Sequence, residues 1–306
     1  MFVRKISLLT VVVASLLPAL ARGQEADTAL TRIQQNKAVT IGFRESAAPF
    51  AYLDERKQAS GYSIDICNRI AQEIGRKLNI PHIETKYVPV TPQTRIPLIA
   101  NGTVDLECGS TTNNVDRQKQ IAFTNTHFLT ASRFVSKKAS KIGSIDDLKG
   151  KSVVSTSGTT NIKQLNEANA ARNLGINIIP AKDHAEAFLM VETDRAVAFV
   201  MDDILLASLV AGSKEPAAYI MSTDAFSKPE PYGIMLRKDD PAFKKVVDGA
   251  TAALYQSAEG PKLYEKWFQQ KIPPRGLNLN VPLGPELKNE FAKPSDSPDP
   301  DSYKAM

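Results

Sequence analysis

Residues 105–120 read DLECGSTTNNVDRQKQ: Gly109 is followed by Ser110, Thr111, Thr112, Asn113 and Asn114, and then by Arg117. This is an inventory of neutral hydrogen-bonding groups ahead of one guanidinium, with no acid–base partner or nucleophile beside it. Such a set suits recognition of a small charged molecule better than it suits catalysis. Two more polar clusters have a similar setting. Arg44 ends the apolar run VTIGF, and TSGTTN (156–161) follows SVVS. Each lies where a strand should run into the next element, the end of an open α/β sheet at which ligands bind. Helix N-termini there present free N–H groups to an anion. The hydroxyls of Ser110, Thr112, Thr159 and Thr160 add donors without adding charge. Taken singly, each cluster is also what caps and turns look like; together with several arginines they point to a ligand site.

Other signals carry less. KGKS (149–152) lacks the glycine that a phosphate loop needs at position 145, where Ile145 stands. Asn101-Gly102-Thr103 is a formal glycosylation sequon that reads better as a helix stop. Asp183 and His184 start a helix, where Asp183 is an ordinary cap, and no serine or cysteine is placed as their nucleophile. His82, His127 and His184 are too scattered for a zinc site, so no metal and no cofactor is expected.

The elements that must position these clusters follow from hydrophobic pattern. AVTIGFR (38–44) reads as a buried strand. GYSIDICNRIAQEIGRKLN reads as a helix, with Ile66, Ile70, Ile74 and Leu78 at steps of four. Strand IETKYVPV, helix TRIPLIANG and strand VDLECG complete a β-α-β-α-β series, which implies a mostly parallel sheet. From residue 144 a second series begins, with a capping box at Ser144–Asp147. It continues through strand SVVSTS, a helix to Gly175, strand INIIPA, helix DHAEAFLMVETD, strand AVAFVMDD and helix ILLASLVAG. PYGIMLRKDDPAFKKVV then restarts with a strand and a long helix to about Phe268. AKPSDSPDPDSYKAM reads as a disordered tail.

The first residues, MFVRKISLLTVVVASLLPALARGQ, combine a basic start, an apolar run and the small residues Ala19 and Ala21, the pattern of a cleaved secretory leader. Loss of Arg4 and Lys5 leaves 36 basic residues against 33 acidic ones, a mild excess with no basic–aromatic run, so nucleic acid is not an expected partner. Cys67 and Cys108 could pair in an oxidising compartment, but the pattern favours unpaired, buried small hydrophobes.

The joint order of several stretches resembles the periplasmic glutamate/aspartate-binding proteins of polar amino-acid ABC importers (solute-binding protein family 3). They are GFRES-APF (42–50), RIPL-ANGT-D-ECGSTTNNV-RQKQ (95–120), DLKGK-VV-TSGTT (147–160), AKDH (181–184), RAVAF-MDD-LLA (195–207), YG-MLRKDDP-FKK (232–245) and IPP--LN-N (272–280). The resemblance implies an α/β, type II periplasmic-binding-protein fold: two lobes with mixed, mostly parallel sheets, joined by a two-segment hinge near 127–133 and 227–232. The expected organisation is a signal peptide at 1–21, lobe 1 from 24–128 plus 232–283, lobe 2 from 132–227, and a polar tail at 284–306. By the same resemblance Arg117, helped by Ser110, Thr112 and Thr160, binds the ligand α-carboxylate, and Asp202 meets the ammonium. Arg44, Arg95 and His184 form a second cationic cluster for the side-chain carboxylate. A monomeric periplasmic protein serving ABC transporter membrane subunits is implied, not an enzyme; a cyclohexadienyl dehydratase-like lyase and a sensory module are the other uses of such a fold. The chain departs from the family at Thr91-Pro92-Gln93-Thr94-Arg95, commonly Thr-Ser-Gln-Asn-Arg, so Pro92 lacks a hydroxyl and an N–H. Ile234 replaces the family's cysteine in YG-C-ML.

Overall fold

The structure is a computed structural model that describes residues 28–273 and 276–304; the leader read at 1–21 lies outside the described residues. Helix α1 (Ala29–Asn36) precedes strand β1 (Ala38–Phe43). A meander of β2 (Ser46–Ala47), β3 (Ala51–Leu53) and β4 (Ala59–Ser60) leads into α2 (Tyr62–Lys77). Then come β5 (Glu84–Pro89), α3 (Arg95–Ala100), β6 (Leu106–Glu107), the single turn α4 (Val115–Gln118) and β7 (Ile121–Phe123). The chain crosses over on β8 (Phe128–Thr130) and continues as β9 (Ser132–Lys137), β10 (Ser152–Thr156), α5 (Thr160–Ala171) and β11 (Asn177–Ala181). Helix α6 (His184–Glu192), β12 (Ala198–Asp202), α7 (Asp203–Ala211) and β13 (Tyr219–Met221) follow. It returns on β14 (Glu230–Tyr232) to β15 (Met235–Arg237), α8 (Pro241–Gln256), α9 (Glu259–Phe268) and α10 (Pro285–Ala292).

Two five-stranded sheets result, ordered β5-β1-β6-β15-β7 and β11-β10-β12-β9-β13. In the first, β1 is parallel to β5 and β6, and the returning β15 is antiparallel to β6 and β7. In the second, β10 is parallel to β11 and β12, whereas β9 is antiparallel to β12 and β13. Central β1 and β12 are almost wholly buried because helices cover both sheet faces, which is why they read as continuous apolar runs. On α2 the buried stripe is Ile66, Ile70 and Ile74, and Leu78 ends the helix as its cap.

Two segments connect the lobes, and they pair with each other: β8 and β14 form a two-stranded antiparallel ribbon, Phe128 opposite Tyr232 and Thr130 opposite Glu230. Aromatic rings fix this ribbon on the side of the first lobe. Phe128 stacks on Phe268 at 4.9 Å, and Phe50 meets Tyr232 edge-on at 5.2 Å.

Three expectations are corrected here. Cys67 and Cys108 form a disulfide across a 6.3 Å Cα separation, because α2 covers the sheet where β6 ends. Sequence spacing hides such proximity, since the two lie 41 positions apart. The long helix to Phe268 is two helices. Ser257 leaves the helical region, and Gly260 packs so closely on the Leu254 and Tyr255 backbone that a Cβ would stand 2.8 Å from the Leu254 carbonyl oxygen. The stretch read as disordered is ordered over residues 292–304: it follows α10, which buries Leu287 and Phe291, and Tyr303 within it is buried. Three apolar anchors outweigh the Pro, Asp and Ser composition.

Candidate functional site

In the first lobe, β1 runs out at Phe43 and delivers Arg44 into the interior, only 2% exposed. Arg95 opens α3 and is equally buried. Its Nη1 donates to Thr111 Oγ1 at 2.5 Å, and that hydroxyl donates onward to Glu107 Oε2 at 2.6 Å. The guanidinium also stands 3.9 Å from Glu107 Oε1. Arg117 lies on α4, where the Asn114 side chain caps the turn by accepting the Arg117 N–H at 2.9 Å. Its Nη1 donates to the Thr112 carbonyl at 2.8 Å, which aims the guanidinium back over the loop.

In the second lobe, Thr159 caps α5, accepting the Ile162 N–H at 3.3 Å and donating to the Thr156 carbonyl at 2.6 Å. Asn161, one step into that helix, donates to Asp202 Oδ1 at 2.8 Å and to Ser132 Oγ at 3.0 Å. The other oxygen of Asp202 accepts the Tyr232 hydroxyl from the hinge strand. His184 follows the Asp183 cap at the head of α6, with Nδ1 2.9 Å from Thr156 Oγ1 and Nε2 3.4 Å from Arg44 Nη2. A guanidinium can only donate, so Nε2 accepts and Nδ1 carries the proton toward Thr156.

Burial, with Arg95 as a like neighbour, pushes Arg44 and Arg117 each down to about 9, still charged at neutral pH. Burial and then Arg44 and Arg95 hold His184 well below the ordinary histidine value. The imidazole is therefore neutral. It was expected within the second cationic cluster, and this corrects its charge: it orients Arg44 and adds no cation. Burial raises Asp202, against the opposing hydrogen bonds from Tyr232 and Asn161.

These side chains close on one another around a narrow cavity of about 10 Å³ between the lobes, so in this form they are nearly in contact across it. All nine residues expected from sequence (Arg44, Arg95, Ser110, Thr112, Arg117, Thr159, Thr160, His184 and Asp202) line it together. Asn161 and Met201 also line it and were not foreseen. Asn161 had a signal: it precedes Leu165 by four on the inward face of α5, so it had to point at the sheet. Glu107 and Thr111, which steer Arg95 from behind, had none beyond lying in the polar loop. Three buried donors in this wall, Arg44 Nη1, Arg95 Nε and Ser110 Oγ, have no acceptor among the described residues. Buried donors are normally satisfied, so these three are open to an acceptor from outside the chain.

The lobes touch across the cavity. Arg117 Nη2 donates to the Gly158 carbonyl at 3.3 Å, Thr112 and Thr160 hydroxyls lie 3.4 Å apart, and Lys163 reaches Asp116 at 3.1 Å. Gly158 has φ +77°, and a Cβ there would stand 2.8 Å from the backbone of Pro92 and Gln93. Only glycine permits this approach of the two lobes.

Comparison with known proteins places these features in context. The sequence profile of the bacterial extracellular solute-binding proteins, family 3, matches residues 39–270. The L-glutamate/L-aspartate-binding protein of Pseudomonas aeruginosa is 48% identical over 288 residues, 94% of this chain and 95% of that one. The glutamate/aspartate import solute-binding protein of Escherichia coli (strain K12) is 46% identical over 271 residues, 89% of each chain. Among solved structures, a mutant of ArgBP from T. maritima superposes with a TM-score of 0.69 at 25% identity, covering 78% of this chain and 98% of that one.

Proposed function

Because the chain belongs to the bacterial extracellular solute-binding proteins, family 3, we propose that it captures L-glutamate or L-aspartate between its lobes and delivers it to the membrane subunits of an ABC importer. The observation that carries this reading is the trio of buried, acceptor-less donors on Arg44, Arg95 and Ser110. Charge supports it. Three guanidiniums, on Arg44, Arg95 and Arg117, line the cavity against one lining carboxylate, Asp202. An acidic amino acid brings two carboxylates to meet the guanidiniums and one ammonium to meet Asp202. A neutral amino acid leaves one guanidinium cluster without its anion at a buried site, which is costly.

In this reading Arg117, with Ser110, Thr112 and Thr160, holds the α-carboxylate, and Asp202 accepts the ammonium. Arg44 and Arg95 hold the side-chain carboxylate, with neutral His184 fixing the Arg44 fork. Planar guanidinium forks suit carboxylates through paired parallel hydrogen bonds, which lysine does not reproduce. Nucleophile and general acid play no part, and the chain acts as a periplasmic monomer that releases its ligand unchanged.

Equilibrium dialysis of the mature protein against an equal mixture of the common amino acids tests this. Glutamate or aspartate is the expected retained species, recovered with unaltered mass. Retention of arginine or glutamine instead, or recovery of a converted product, would overturn the reading.

A further inference from the structure

The family match ends at residue 270, yet the chain beyond it is folded onto the first lobe. Helix α10 lies on α8, with Phe291 stacked on Tyr255 at 4.8 Å. The following residues run beneath the loop that carries the α-carboxylate site. The Ser295 carbonyl accepts the Thr126 N–H at 2.8 Å. The Asp296 carbonyl accepts two side-chain donors, Asn113 Nδ2 at 2.9 Å and Gln118 Nε2 at 3.1 Å. Lys244 holds the Asp296 carboxylate at 2.8 Å, and Tyr303 ends the run buried, its hydroxyl 2.8 Å from Thr126 Oγ1.

Asn113 is 1% exposed and fully committed. Its N–H donates to the Pro231 carbonyl of β14 at 2.8 Å, and its Oδ1 accepts from Gln118 at 2.9 Å. The residue before it, Thr112, supplies both a cavity hydroxyl and the carbonyl that aims Arg117. The loop is thus gripped from two sides, by the hinge strand and by the C-terminal segment.

We propose that residues 285–304 act as a strap that sets the α-carboxylate loop, with Asn113 the positioning residue through which it acts on Arg117. This rests on the acidic amino-acid reading of the cavity. Neither Asn113 nor the strap touches the cavity, so both act on ligand through Thr112 and Arg117. The consequence is specific: loosening the strap weakens every amino-acid ligand alike, because the head group is common to all. The glutamate-to-glutamine ratio stays fixed, because Arg44 and Arg95 are not held by the strap.

The test compares the full mature chain with a chain ending at residue 293 and with Asn113→Leu, singly and together, by calorimetry and stopped-flow release of glutamate. Each single change is expected to weaken glutamate roughly tenfold, mainly through faster release, at an unchanged glutamate-to-glutamine ratio. The double change is expected to do no more than either alone, since both cut the same link. A purely structural strap lowers the melting temperature of the ligand-free protein and leaves affinity and release untouched; that result overturns the proposal, as do losses that simply multiply. Should either change prevent folding, Gln118→Leu in the full chain carries the same expectation. If the unaltered protein fails to bind glutamate, the ligand reading falls instead, which is a separate outcome.

Discussion

Single residues decide charge at this site. Arg117→Lys keeps one cation but loses the fork that bonds the Thr112 and Gly158 carbonyls, leaving a buried anion poorly paired. A loss of about 1.5–3 kcal/mol is expected for every amino-acid ligand, read by titration calorimetry. Arg44→Ala should act differently, weakening acidic ligands and narrowing their advantage over amides. Glu230 offers a pH test. Burial first, then Asp202, pushes it up to about 7, and its Oε2 has no acceptor or donor partner. A folded value raised above the unfolded one gives stability that is present below about 4.5 and lost as pH climbs to about 7. Glu230→Gln should therefore leave unfolding free energy nearly unchanged at pH 4.5 and raise it by about 1–3 kcal/mol at pH 8, measured by urea titration. Residue types announced much of this. The hydroxyl-rich loop and the arginines at strand exits pointed to this cavity, whereas the neutrality of His184 comes first from its burial and then from Arg44 and Arg95, which sequence places 140 and 89 positions away.

Elements explain what sequence left out. Helices and strands with clean periodicity, such as α2 and β1, were legible because burial alone sets their pattern. The disulfide was not, because only the docking of α2 over the end of β6 brings Cys67 to Cys108. That bond staples a helix to the strand from which the Gly109–Thr112 loop departs. Cys67→Ala with Cys108→Ala should lower stability by about 2–4 kcal/mol in denaturant unfolding under oxidising conditions, with no such difference once both proteins are reduced. The ordered C-terminal segment was misread for the converse reason. Its composition is that of a linker, but it follows α10, whose Phe291 stacks on Tyr255 of α8, and its own Tyr303 finds a buried place at Thr126.

At the scale of the molecule, the described form is closed. Gly158 meets Pro92 and Gln93, Arg117 meets Gly158, and Lys163 meets Asp116, all between residues of opposite lobes. A ligand held by both halves at once, as proposed, shifts the population toward closure. Small-angle scattering should show a smaller radius of gyration with glutamate than without it. Gly158→Ala places a methyl against the Pro92 backbone only when the lobes close. It is expected to reduce that compaction and weaken all ligands, beyond any loss in ligand-free stability.

The acidic-ligand assignment is the claim on which the rest depends, and it is tested most directly by calorimetric titration of the mature, unaltered protein with glutamate, aspartate, glutamine and asparagine. An amide turns an N–H donor toward Arg44 and Arg95, which have only donors to give, and brings no negative charge to pair with theirs. An advantage of about a hundredfold or more for glutamate or aspartate over its amide is predicted. Comparable affinities for glutamate and glutamine would contradict the account.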